Sequence, residues 1–178
     1  LGEPLGAALL HSAEAVAAAK LTRRGVLVAD RDRRRLELRL AHPLFGESVR
    51  AGMPATRGSA LQRRLADALE TTGLRRSGDL LRFVVWRLDS SGTAAAGLLL
   101  RAAVLSEVSL DPGLAERLAR AAVEAGAGFP AERAVARALI GQERFVEAEA
   151  LLSSLTERAD TEQERASVAL AHARNLVV

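Results

Sequence analysis

From Asp79 onward the apolar residues recur at helical spacing, and short turn signals interrupt them at regular intervals, a pattern that leaves few folds open. The turns fall at Gly92, Asp111-Pro112, Gly126 to Pro130 and Asp160-Thr161. Gly tolerates left-handed backbone, Pro cannot continue a helix's hydrogen bonding, and Asp or Thr caps the next helix, so each turn has a local cause. They delimit helices over about 79–89, 94–108, 112–126, 130–142, 145–158 and 161–177. Pairing these helices exposes a repeat. Leu114-Ala115-Glu116-Arg117-Leu118 and Glu147-Ala148-Glu149-Ala150-Leu151 occupy equivalent places in successive helix pairs. In that register Ala103 and Ala136 fall where the first helix of a pair must approach its partner closely, and Ala115 and Ala148 where the second must. Phe145 and Leu152 would fill the gaps. A plain helical bundle is the alternative that so alanine-rich a sequence allows, and no long heptad seam competes with either.

The composition agrees with a helical fold. Of 178 residues 49% are hydrophobic and 26% charged, enough for a core, while aromatics are only 3%. Leu and Ala supply most of the apolar residues, and both favour helix over strand. The pI of about 10.7 reflects the use of Arg in place of Lys more than a strong positive field, since the net charge is only +3. There are no cysteines, which excludes disulfides, zinc–thiolate sites and thiol nucleophiles and fits a reducing, cytoplasmic setting. Neither a secretory signal nor an apolar run of membrane-spanning length is visible. The start at Leu1 without Met, and the apolar end Asn175-Leu176-Val177-Val178, are what a piece of a longer protein with further repeats would show.

The segment before Leu74 has a different pattern. Pro4 to Leu10 and Ser12 to Arg24 suit two short helices, with Ser12 as an N-cap and Gly25 as a stop. The period then changes. Val26-Leu27-Val28-Ala29 and Leu36-Glu37-Leu38-Arg39-Leu40 suit two strands, the second alternating apolar and charged residues, with Asp30 to Arg35 as a polar tip. His42 to Glu47 begins a short helix that Gly52 and Pro54 should end, and a longer one follows from about Gly58 to Thr72, with Leu61, Leu65 and Leu69 on one face. The expected class is mainly α: a winged-helix-like unit with one β-hairpin over 1–73, then a helical repeat array over 74–178.

Two groups of strings carry a family resemblance. Leu38-Arg39-Leu40-Ala41-His42-Pro43-Leu44-Phe45-Gly46-Glu47 with the following Leu61 to Leu69 helix resembles the winged-helix segment of large ATP-binding LuxR-type transcriptional regulators, which belong to the STAND class of signalling ATPases. Ala115-Glu116-Arg117-Leu118-Ala119-Arg120-Ala121-Ala122 and Phe145-Val146-Glu147-Ala148-Glu149-Ala150-Leu151-Leu152 resemble the tetratricopeptide-like sensor arm of the same proteins, whose repeat is roughly 34 residues long. The resemblance implies a non-catalytic sensing and coupling module between a nucleotide-binding domain and an output domain. It would bind an effector or a partner protein on its repeats. It implies ATP or ADP as the cofactor of the full-length protein only, since the phosphate-binding loop Gly-x-x-x-x-Gly-Lys-Ser/Thr is missing from these residues. By the same resemblance His42 would sense the nucleotide state by touching ADP phosphates, a role suited to an imidazole; the other role for His42-Pro43 is to cap the strand-to-helix corner.

The remaining candidates have plainer readings. Arg31, Arg33, Arg34 and Arg35 at the hairpin tip could meet a DNA backbone, which gives the competing function of a DNA-binding winged-helix regulator with a helical oligomerisation tail. Ala13 to Arg24, however, offers mostly Ala and Val where base readout needs Arg, Asn or Gln. A solvated turn without direct nucleic-acid contact is therefore expected. Trp86, the only tryptophan, is expected in the core. His11 and His172 stand alone without metal-ligand spacing, and Glu143, Glu147 and Glu149 form no acid–base pair, so no catalytic or metal site is expected.

Overall fold

The computed structural model describes residues 4–32, 35–74 and 76–176. The chain is mainly helical and divides into two compact units, Leu1–Thr71 and Thr72–Val178.

The first unit contains β1 (Leu5–Gly6), a 3-10 turn at Ala7–Leu9, α1 (Ser12–Arg23), β2 (Leu27–Asp32), β3 (Arg35–Leu40), α2 (Pro43–Ala51) and α3 (Ala55–Glu70). The sheet is antiparallel in the order β1-β3-β2. The helix expected over Pro4 to Leu10 does not form. Leu5 and Gly6 instead pair with Leu38 and Glu37 on the free edge of β3. Ladder bonds there outweigh the helix propensity of a segment too short to offset its own nucleation. Helix α1 is capped from His11 instead of Ser12: the Glu14 carboxylate reaches back to accept from the His11 amide at 3.0 Å. Gly25, at φ +72°, ends that helix in the left-handed conformation glycine tolerates.

The hairpin is longer than the apolar runs imply, pairing from Leu27 opposite Leu40 to Asp32 opposite Arg35, because the backbone ladder is indifferent to polar side chains on exposed strands. At the tip, Arg33 and Arg34 lie outside the described residues. Leu38 and Leu40 are half-buried whereas Leu36 is exposed, so the inward face of β3 is shorter than its alternation. Leu40 packs against α2 at the buried Gly46, where an added Cβ would lie 2.9 Å from a Leu40 methyl.

The second unit consists of α4 (Ser77–Asp89), α5 (Ala96–Val108), α6 (Pro112–Glu124), α7 (Phe129–Gly141), α8 (Phe145–Arg158) and α9 (Glu162–Leu176). Helices α5, α7 and α9 begin at Ala96, Phe129 and Glu162, in equal steps along the chain, and the same step separates the starts of α6 and α8 at Pro112 and Phe145. Ala103, Ala136 and Ala148 are fully buried and Ala115 almost so, and Leu118, Leu152 and Leu155 fill the space around them. Small residues let the helix axes approach, and the leucines restore close packing.

The turns repeat as well. Leu110 and Glu143, one repeat apart, both adopt positive φ (58° and 61°). Each closes its helix with the same two bonds: Leu110 N–H to Glu107 O and Asp111 N–H to Ser106 O in one repeat, Glu143 N–H to Ile140 O and Arg144 N–H to Leu139 O in the next.

Candidate functional site

Each helix from α4 to α9 packs on the next in the chain, and α5 also meets α7, as α7 meets α9. The odd-numbered layer is thus the tighter one, so the array bends with α5, α7 and α9 on the inner side. Two amide side chains tie the layers at equivalent points. Gln142 Nε2 donates to Pro112 O at 3.3 Å and to a Glu116 carboxylate oxygen at 2.7 Å. Asn175 Nδ2, one repeat further on, donates to Phe145 O at 3.3 Å and to Glu149 at 2.9 Å. Each amide reaches the first residue of the preceding even helix and the carboxylate one turn further along. A plain bundle gives no reason for such a recurrence. The sequence conceals it, because the two positions differ in residue type and only their shared amide group performs the same task.

Glu116 sits in a charged cluster. Arg120 donates to it at 2.6 Å and Arg144 at 2.7 Å, and Arg144 also pairs with Glu147 at 2.7 Å. Burial alone would push the Glu116 carboxyl up, but the bonds from Gln142 and Arg120 and the charges of Arg120 and Arg144 outweigh it and hold it below its ordinary value. These groups satisfy one another, which marks the cluster as structural.

A different balance holds on the inner layer. Glu107 of α5 is paired with the Arg137 guanidinium of α7, but Glu107 Oε1 and Arg137 Nε are buried and have no hydrogen-bond partner among the described residues. The guanidinium fork therefore makes a one-point contact where it can make two. Desolvation raises the Glu107 pKa above its ordinary value, against the opposing pull of Arg137, Arg174 and Arg133.

An acid whose folded pKa is raised contributes stability fully below its unfolded pKa, and that contribution is lost as pH rises through the folded value. Glu107→Gln should therefore gain stability relative to the parent as pH is raised from about 4 to about 7. Urea unfolding at several pH values checks this, and a stability difference that does not change with pH would contradict it.

His42 caps α2: its Nδ1 accepts the Leu44 amide at 3.2 Å, and its ring meets Phe45 edge-on at 6.4 Å. The neutral ring then carries its proton on Nε2, and the side chain is exposed. Trp86 is buried beside Phe83 and Val84. His11 stays near Glu14 at 3.7 Å.

His172 is not isolated as expected. Its Nδ1 lies 3.2 Å from Glu149 and its other ring nitrogen 3.2 Å from the Thr156 hydroxyl. The order carboxylate, imidazole, hydroxyl is that of a nucleophile relay, yet the Thr156 hydroxyl also bonds the Leu152 carbonyl at 2.9 Å. A hydroxyl that donates its proton there cannot be activated by the ring. Among the described residues, no group of three or more His, Cys, Asp or Glu side chains can hold a metal ion, and no helix is long and apolar enough to cross a membrane. Compared with protein-family models, curated proteins and solved structures, the chain matches none.

Proposed function

We propose that the chain is the sensing and coupling module of an ATP-dependent bacterial transcriptional regulator of the LuxR type. The inner layer of the array takes an effector, and the hairpin unit relays occupancy to a nucleotide-binding domain of the same protein. The observation that carries this reading is the side-by-side run of α5, α7 and α9, a continuous surface assembled from repeats. The His42-Pro43-Leu44-Phe45 corner supports the coupling role. With Nδ1 spent on the helix cap, Nε2–H is left to donate to a nucleotide phosphate. Direct DNA binding has less support, because Ala13, Ala15, Val16, Ala17 and Ala19 occupy exposed positions of α1 and offer base edges no hydrogen bonds.

In the full-length regulator, His42→Ala should release ADP roughly tenfold faster, the loss of one charge-assisted hydrogen bond, and raise activity in the absence of effector. Nucleotide release followed with a fluorescent ADP analogue tests this. Unchanged release together with unchanged basal transcription would refute the sensing role of His42.

A further inference from the structure

Because the inner helices start in equal steps, they can be compared place by place. Ala103 of α5, Ala136 of α7 and Ala169 of α9 stand at the same point of their helices, and Ile140 of α7 matches Ala173 of α9. Ala103 and Ala136 are fully buried and Ile140 almost so, whereas Ala169 and Ala173 are exposed. Helix α9 has α8 packed before it but, among the described residues, no helix after it. The cover over this point therefore comes from the helix that follows, and α9 carries the same face open. That face is apolar along its length. Ala166, Ala169, Leu170, Ala173 and Leu176 recur at helical spacing and all are exposed, Leu170 by 67% and Leu176 by 79%. The side turned to the array buries Val168 and Ala171, so α9 is apolar on two sides, where a helix with nothing upon it ordinarily turns polar residues to water.

We propose that this face pairs with the same face of a second copy of the chain, the two α9 helices running antiparallel about a two-fold axis. Charge selects that occupant. Glu162 opens α9 and Arg174 lies in its last turn, and in the register that sets Ala166 opposite Leu170 of the other copy, Glu162 falls opposite Arg174 in both directions. Antiparallel helices also oppose their dipoles, whereas a parallel pair would set like charges side by side. Ala166 and Ala169 flank the axis, where small side chains let two helices approach closely. A repeat array can also stack head to tail, with α4 of one copy on α9 of the next, but no apolar side chain of α4 is exposed to meet the seam. A two-fold pair closes on itself and stops at the dimer. One helix from each copy makes a small interface, so the dimer is weak, with a dissociation constant on the order of 10–100 μM. This inference goes beyond the sensing function and does not rest on it.

Sedimentation of the whole chain from about 1 to about 500 μM tests this, a range that brackets the expected dissociation constant. The mass should rise from 18.9 kDa toward twice that value. Ala169→Glu places two like charges beside the axis and should weaken the dimer about tenfold or more; the site is exposed, so the fold should tolerate the change. Val108→Glu makes the same kind of change at a residue of α5 that is 77% exposed, and should alter nothing. Glu162→Arg and Arg174→Glu should each weaken association about threefold, and the two together should restore it, since the exchanged charges again meet. Because the chain has no cysteine, single-cysteine variants report the direction of pairing. Oxidised Ala169→Cys should cross-link copy to copy, whereas Leu176→Cys should not, its two sulfurs lying about 24 Å apart along antiparallel axes. A mass that stays at 18.9 kDa throughout, association that Ala169→Glu leaves unchanged, or cross-linking at Leu176→Cys without cross-linking at Ala169→Cys would overturn the proposal.

Discussion

Trp86→Ala should cost about 3–5 kcal/mol of stability, the range for removing a buried aromatic side chain. Trp86 is 8% exposed on α4, within a face that also buries Leu80, Phe83 and Val84. The Arg87 guanidinium lies 5.3 Å from the Phe83 ring centroid and covers its outer side. Helix α4 packs on the array through α5, so a cavity there would loosen the first helix of the unit without reaching α7 or α9. Because Trp86 is the only tryptophan, the parent protein supplies its own probe: its emission should be blue-shifted when folded and move to the red as this helix detaches. Unfolding of the variant followed by far-UV circular dichroism gives the cost. A loss below about 1 kcal/mol, typical of a surface site, would mean that α4 is not packed as described.

Leu152→Ala should cost about 2–5 kcal/mol. Leu152 is fully buried in α8, and Ala119, its counterpart one repeat earlier, is also fully buried. The large residue in one repeat thus occupies the place of the small one in the other, so neighbouring side chains cannot collapse into the void without disturbing the spacing of α7 and α8. Leu170→Ala makes the control. It removes the same atoms from a residue 67% exposed, and should change stability by no more than about 0.5 kcal/mol. Equal effects of the two variants would show that the repeat register is misplaced.

Much of the array is legible in the sequence because it is made by local rules. Pro112 and Asp111 start α6 where the Asp-Pro pair predicts, with the Asp111 carboxylate accepting the Leu114 amide at 3.0 Å, and the buried alanines stand where the repeat register sets them. The turns at Leu110 and Glu143 are legible only as positions. Neither residue type favours positive φ, so packing of the adjacent helices imposes a conformation that composition does not announce. The N-terminal segment failed for a related reason: the partners of Leu5 and Gly6 lie far along the chain on β3, and no local pattern reports them.

The Glu107–Arg137 pair was hidden for a third reason. Glu107 and Arg137 are ordinary charged positions on two separate helices, and only the stacking brings them together. His42 shows the reverse, where a local string announced a corner and the structure placed its ring nitrogen on the cap.

The equal steps of the array also bear on how it forms. Among the described residues, the helices of the array that pack closely on one another lie at most two places apart along the chain, so each stage of assembly closes only a short loop, and loop-closure entropy stays small throughout. Chains dominated by such low contact order fold quickly, and one helix pair can template the next. Growth by one more helix pair would require no rethreading, so an array of this design can lengthen its continuous surface while leaving the folding route of the existing pairs untouched.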